Sequence, residues 1–220
     1  INTNQLFLLK KENKKFKINH SKSLDPITIG GFIFTEEKIN LKYNFNKNII
    51  IPAAAGFGTG HHPTTEGIIY ILNKINMYKD IKKNDIIDIG CGSGILGIVM
   101  SKLWKKNIEL IDIDLLAVKT SIYNAKINFL RTKLNVKRGD GLNITDKQKY
   151  DLITINILAT PILKNSYLIN KKLKPKGRVI ISGILHSQIF MILNKLRSMG
   201  LILELQYNKN NWSTLLLKKC

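Results

Sequence analysis

The stretch DIGCGSGILG, residues 88–97, places Gly90, Gly92 and Gly94 at steps of two behind an acidic residue and inside the apolar run IIDI that leads into it. Glycines in that setting let backbone run close against a bound molecule. The class of molecule follows from what the spacing lacks. A dinucleotide fingerprint needs its third glycine three residues after the second, and that position is Ile95. A phosphate-binding Walker loop needs a Gly-Lys-Ser/Thr ending, which does not follow. An Asp-x-Gly-x-Gly-x-Gly loop after a buried strand is the pattern expected for S-adenosylmethionine. A carboxylate nearby suits that molecule's ammonium and sulfonium charges better than it suits a pyrophosphate.

Two more acidic positions extend the reading. IELID ends in Asp112, about 20 residues past the glycines, where a carboxylate can accept hydrogen bonds from both ribose hydroxyls. Asp112 is preferred over Asp114 because Asp114 is placed to cap the helix that follows. Further on, Gly139-Asp140-Gly141 puts Asp140 after the next strand, where a side chain would meet the adenine amino group. Each signal alone has a plain structural explanation, a tight turn or a helix cap. Their recurrence on successive strand ends points to one cofactor site.

Such residues need a scaffold that delivers strand ends to one place. IIDI (86–89), IELID (108–112), LNVKR (134–138), DLITIN (151–156) and RVIISGI (178–184) read as strands, the last closed off by KPKG. Between them, ILGIVMSKLW (95–104) reads as a helix. A second helix carries Leu115, Val118, Ile122, Ala125 and Phe129 on one apolar face. A third runs through PILKNSYLINKKL, and a fourth, around Ile189, Leu193 and Leu196, leads to LILELQ and STLLLK. Another helix starts after Pro63 and carries GIIYILNKI, with proline just inside its start. This alternation predicts an α/β fold with a parallel sheet, helices on both faces and right-handed crossovers. Ligands in such sheets sit at the carboxyl ends of the strands.

Ahead of that helix lies GFGTGHHPTT (56–65), which is either a loose surface loop or a loop built around a ligand. Taken with DIGCGSGILGI, IDID, NILATPIL and ISGIL in that order, it makes the chain resemble the methyltransferases that trimethylate the large-subunit ribosomal protein L-eleven, the PrmA family. The resemblance covers about residues 30 to 218, and its first and fourth motifs are far more specific than a glycine loop. It implies a class I S-adenosylmethionine-dependent methyltransferase sheet, Rossmann-like, with its last strand antiparallel. It also implies that Thr65, Gly90, Asp112 and Asn156 bind the cofactor. GFGTGHHPTT would then cover the methionine end, with Gly58 and Gly60 giving a bend. Thr64 and Thr65 would set hydroxyls and helix-start amides near a carboxylate. Asn156, after strand DLITI, would accept a hydrogen bond from a substrate amine and aim its lone pair; the plain alternative is a helix cap.

His61 and His62 are read as turn residues rather than bases, with His62 the more significant of the two. Two adjacent histidines without carboxylate or thiolate companions imply no metal. Trp212 either flanks a pocket or packs in the core. Cys91 is read as a small loop residue with no basic neighbour to make a thiolate.

The implied activity is N-methylation of lysine side chains, and of α-amino groups, on protein L-eleven. The alternatives are a methyltransferase for another protein or RNA, and a cofactor-binding module that transfers nothing. Asn-Ile-Leu-Ala differs from the Asn-Pro-Pro-Tyr motif whose ring stacks on a base, which argues against nucleobases. Residues 1–50, lysine- and asparagine-rich with the β-like runs QLFLL, KFKIN and GFIF, read as a connector and remnant of an N-terminal substrate-binding region. Residues 51–220 read as the catalytic domain. By the resemblance, the chain is either a fragment or has lost its recruiting domain.

Bulk composition fits that picture. No apolar run reaches the roughly 18 residues that cross a membrane, and LFLL is too short for a signal-peptide core. Two cysteines, Cys91 and Cys220, make no disulfide framework, so a cytoplasmic location is expected. The formal net charge is +20, a field that attracts polyanions. Yet lysines spread along the whole sequence and arginines number only Arg131, Arg138, Arg178 and Arg197. That pattern is expected of a solvated, lysine-drifted surface more than of a dedicated nucleic-acid face, and no sequence-specific reading of nucleic acid is expected.

Overall fold

The structure is a computed structural model that describes residues 25–37, 47–52, 60–145 and 148–220. The β-like runs QLFLL and KFKIN and the bend expected at Gly58 lie outside the described residues. A small three-stranded sheet comes first: β1 (Ile27–Ile29), β2 (Phe32–Thr35) and β3 (Asn48–Ile50). Its β1–β2 hairpin turns on Gly30 and Gly31, both at positive φ, as a two-residue hairpin loop requires. The main sheet has seven strands in the order β6-β5-β4-β7-β8-β10-β9. These are β4 (Ile86–Ile89), β5 (Ile108–Asp112), β6 (Leu134–Arg138), β7 (Tyr150–Asn156), β8 (Leu173–Leu185), β9 (Leu201–Lys209) and β10 (Trp212–Lys219). Strands β4 to β8 run parallel, and β10 lies antiparallel between β8 and β9. That is the class I methyltransferase sheet with its antiparallel final strand.

Helices α1 (Pro63–Asn76), α2 (Ile95–Trp104), α3 (Leu115–Ile127), α4 (Ala159–Lys164), α5 (Ser166–Lys172) and α6 (Ile189–Arg197) cover the faces. One face buries Ile68, Leu72, Ile98 and Leu110, and the small sheet adds Phe34 and Ile49 to the same core. The other buries Ile87, Ile153, Ile181 and Leu196. Strand β4 is buried along its whole length, so it needs apolar residues on both faces, and IIDI supplies them except at Asp88.

Three expectations change. The helix through PILKNSYLINKKL is two, broken at Asn165, whose side-chain amide donates to the Pro161 carbonyl and ends α4. KPKG does not bound β8 but lies within it. A side chain at Gly177 would sit 2.8 Å from the Lys174 carbonyl oxygen, so glycine lets this irregular stretch of strand fold close on itself. The apolar face expected of α3 is only partly buried: Val118 and Ala125 are inside, while Leu115, Ile122 and Phe129 are exposed. The helix is turned so that Ser121 and Asn124 point inward, for a reason found at the glycine loop.

Candidate active site

The strand ends β4 and β7 and the start of α1 enclose a cavity of about 600 Å³, within the range of small-molecule sites. Its lining includes Thr64 and Thr65, the loop Gly90 to Ser93, Asn156 to Leu158, Gly183 and Trp212. Thr65, Gly90, Gly92 and Asn156, four positions singled out in the sequence, are thus brought together around one space.

The glycine loop is held from several sides. Gly90, Gly92 and Gly94 all take positive φ, which a side chain resists. A Cβ on Gly90 would stand 2.5 Å from the Ile157 side chain, and one on Gly183 would stand 2.3 Å from the Ile157 carbonyl oxygen. Gly90 N–H donates to the Ile111 carbonyl at 2.8 Å, tying the loop to β5. Asp112 accepts from the Gly92 amide at 2.8 Å through one carboxylate oxygen and from the Asp114 amide at 2.9 Å through the other. Each oxygen keeps a lone pair for a further donor. Asp114 caps α3 by accepting from the Leu116 amide, the role expected of it.

Ser121 and Asn124 complete the loop's support. Ser121 Oγ donates to the Gly92 carbonyl and Asn124 Nδ2 to the Ser93 carbonyl, each at 2.8 Å. A glycine loop has few side chains of its own to satisfy its carbonyls, so donors must come from the neighbouring helix. Sequence reasoning missed both residues. A small polar pair three apart, on the same helix face as Val118 and Ala125, was the available signal.

His62 is the N-cap of α1, accepting from the Thr64 amide at 3.4 Å through Nδ1, with Thr64 Oγ1 at 2.7 Å from the same nitrogen. Its ring meets Trp212 edge-on at 4.9 Å, and both line the cavity. The turn role expected of His62 is therefore what the structure shows, and Trp212 flanks the cavity. His61 is exposed, with Nε2 at 3.4 Å from the Asp25 carbonyl. Ser182 Oγ donates to the Thr64 carbonyl at 3.2 Å and so docks the start of α1 on β8. Thr65 is 3% exposed and has no side-chain hydrogen bond to a described residue.

Asn156 ends β7, half-buried and paired in register with Ser182. The N-cap of the next helix is Leu158, not Asn156, so the plain capping explanation does not hold here. Its amide also has no hydrogen bond to a described residue. Asp140 stands apart from the cavity. It is exposed at the start of a 3₁₀ turn, two strands along the sheet from β4, and makes no capping bond.

Beneath the loop, Asp88 is 1% exposed. Burial pushes its carboxyl up to about 7; the hydrogen bond from Thr154 Oγ1, at 2.6 Å, pulls it back, and the Asp112 charge raises it further. Its second oxygen has no partner among the described residues. Burial, aided by that carboxylate, also pushes the Cys91 thiol up, so no thiolate forms there. Among the described residues no cluster of histidine, cysteine, aspartate or glutamate could hold a metal. Narrow glycine backbone, carboxylates at and beneath the loop and uncommitted polar side chains on an apolar-walled cavity fit S-adenosylmethionine, a cationic molecule with hydroxyls and a carboxylate.

Comparison with known proteins agrees. A protein from Campylobacter lari described as ribosomal protein L11 methyltransferase is 36% identical over 218 residues, 96% of this chain and 72% of that protein. The crystal structure of a ribosomal protein L11 methylase from Lactobacillus delbrueckii subsp. bulgaricus superposes with a TM-score of 0.76 at 25% identity, covering 90% of this chain and all of that one. An RNA methyltransferase from Salinibacter ruber, solved with S-adenosyl-L-homocysteine, shares the fold at a TM-score of 0.53 and 17% identity, over 68% of this chain and 90% of its own. The model of the family described as Ribosomal protein L11 methyltransferase (PrmA) matches residues 2–220, and the chain accordingly belongs to this family of S-adenosylmethionine-dependent protein methyltransferases.

Proposed function

We propose that this chain methylates lysine side-chain and α-amino nitrogens of ribosomal protein L11, in the cytoplasm. The observation that carries the reading is Asn156, whose uncommitted amide shares one cavity with the glycine loop. When bound, S-adenosylmethionine supplies a methyl carbon on a sulfonium, which leaves as a neutral thioether. The chain's own task is positioning. Asn156 Oδ1 accepts a hydrogen bond from the N–H of the neutral substrate amine and aims the nitrogen lone pair into the cavity. Ile157, Leu158 and Trp212 give that approach an apolar wall, which disfavours the ammonium form of an amine whose reference pKa is about 10.4. Asp112 keeps a lone pair on each carboxylate oxygen for ribose hydroxyls. Thr65 offers its hydroxyl at the start of α1, where the helix dipole favours an anionic group. Asp140 is assigned to the adenine end on sequence grounds, one strand beyond Asp112. In this reading residues 51–220 perform the transfer and residues 1–50 act as a connector to substrate recruitment.

The test is intact-mass analysis of purified L11 incubated with the chain and S-adenosylmethionine. Methyl-sized increments on L11, lost in Asn156→Ala while cofactor binding persists, support the reading. Increments that persist in Asn156→Ala remove the role given to that residue. No increments with the wild-type chain, when cofactor binding is confirmed in parallel, remove L11 as the substrate.

A further inference from the structure

The lysines that look scattered along the sequence are sorted by the fold. A single row of register partners crosses the main sheet from Asn135 through Glu109, Ile87, Ile153 and Val179 to Leu217. Just before that row, at the amino ends of the parallel strands, stand Lys82 and Lys83 for β4, Lys105 and Lys106 for β5, Lys133 for β6 and Lys149 for β7. Lys174 and Lys176 open β8, and Lys219 closes the antiparallel β10 at the same end. At the opposite end the connections following β4, β5, β6 and β7, residues 90–94, 113–116, 139–143 and 157–160, contain no lysine or arginine and hold Asp114 and Asp140, and the basic residues there are Lys137 and Arg138 closing β6 and Lys209 closing β9.

Compositional drift would place lysines at both ends alike. Helix dipoles explain part of the sorting, because the carboxyl ends of α1, α2 and α3 lie at the lysine-rich end and favour cations in their last turn. They do not explain Lys82, Lys133 and Lys149, which lie beyond any helix end, in the segments that lead into strands. Some of the charge is neutralised: Lys174 pairs with Asp85 and Asp151, and Arg178 with Asp80 and Glu204. The remainder is crowded enough that Lys219, held below the usual lysine range first by partial burial, is lowered further by the charge of Lys149.

Aromatic side chains share this end. Phe129 is 78% exposed beside Arg131 and Lys133, and Tyr78 is 38% exposed beside Lys79. Lysines recurring at strand spacing, about 4.8 Å, from β6 to β10, a span of roughly 24 Å, with exposed rings at the same end, match the backbone and unstacked bases of a single strand.

We propose that the amino-terminal end of the sheet, opposite the cavity, is a sequence-independent binding surface for single-stranded RNA. Lysines contact phosphates and Phe129 stacks on a base. Contacts from lysine to phosphate position a strand without reading its sequence. An RNA held there leaves the cavity open to a protein substrate.

The experiment measures binding of a labelled oligouridylate to the full chain between about 50 and 200 mM salt. Two variants lose equal charge: Lys82→Gln/Lys133→Gln/Lys149→Gln at the proposed surface, and Lys119→Gln/Lys137→Gln/Lys164→Gln away from it. Removal of three phosphate contacts lowers the slope of log affinity against log salt by about 2 for a single strand, and the control triple keeps the wild-type slope. Phe129→Ala weakens binding about tenfold with its salt slope unchanged, because stacking releases no counterions. Wild-type binding that is absent or insensitive to salt overturns the proposal, as does equal loss in both triples. Competition by polyglutamate that matches RNA at equal charge also overturns it, in favour of an acidic polypeptide. Unaltered cofactor binding and a cooperative thermal transition no lower than that of the wild type show that the variants are folded, and none of these readouts depends on the identity of the methylated substrate.

Discussion

Asn156 and Asp88 are both polar residues in or beside the central strands, yet they are set for different tasks. Asn156 lies at a strand end with its amide uncommitted. Asn156→Ala should lower the methyl-transfer rate by about 100-fold, the scale of a misplaced reacting group, while cofactor affinity stays within a few-fold. Single-turnover mass measurements together with cofactor titration separate the two. Asp88 is wholly buried, and its carboxyl stands raised to about 7 from an unfolded value of 3.8. The folded state therefore holds a proton that the unfolded state releases. Its contribution to stability is greatest below about pH 4, falls as pH rises toward 7, and is level above that. Asp88→Asn should cancel this slope, so that its urea midpoint gains on the wild type between those limits. Parallel curves for the two proteins would show that Asp88 ionises normally. The sequence marked Gly90, Gly92, Thr65 and Asn156 because they sit in motifs read straight along the chain. It could not show that Asp112 spends one lone pair of each oxygen on loop amides, nor that Asp140 is exposed and apart from the cavity, since both depend on where loops turn.

Among the elements, α3 shows most clearly what periodicity can and cannot tell. The central strands were legible because parallel, doubly covered strands are largely apolar runs, and IIDI and IELID appear in the structure with the expected bounds, as does the half-exposed edge strand LNVKR. α2 was equally plain. For α3, apolar spacing suggested one face, but loop carbonyls decided which face turns inward. The two helices in place of one after β7 have a similar cause, a local side-chain bond at Asn165 that no period reports. The consequence for α3 is testable. Asn124→Ala leaves the buried Ser93 carbonyl without its donor, a loss of about 1–3 kcal/mol. Because that donor braces the glycine loop, cofactor affinity should fall more than tenfold even at temperatures where the fold is intact. A thermal shift with unchanged affinity would confine Asn124 to stability alone. Asn128, one turn further, exchanges hydrogen bonds with both the amide and carbonyl of Ile50 and fastens the small sheet to the same helix. One face of α3 thus positions the glycine loop and the segment that leads toward α1.

At the scale of the whole molecule, charge and architecture oppose each other. A net charge of +20 on 220 residues raises the self-repulsion of the folded state. The fold gathers Lys82, Lys83, Lys105, Lys106, Lys133 and Lys149 at one end of the sheet. No helix among the described residues is long and apolar enough to cross a membrane. If selection on stability alone had arranged the lysines, dispersal would be the lower-energy pattern. A clustered pattern should therefore cost stability that salt restores. The midpoint of thermal unfolding should rise by about 2–4 °C as ionic strength climbs from about 10 to 200 mM, the shift expected for roughly 1 kcal/mol in a chain of this size. Lys82→Gln/Lys133→Gln/Lys149→Gln should unfold at a higher temperature than the wild type at low salt, and the two should converge at high salt. The control triple, drawn from less crowded positions, should gain less at low salt. Equal gains in the two triples would mean that repulsion is spread over the molecule and the end of the sheet is no special store of charge. A larger gain at the sheet end, in the same variant that loses RNA affinity, would mean that this surface is held against its own repulsion for a partner that neutralises it.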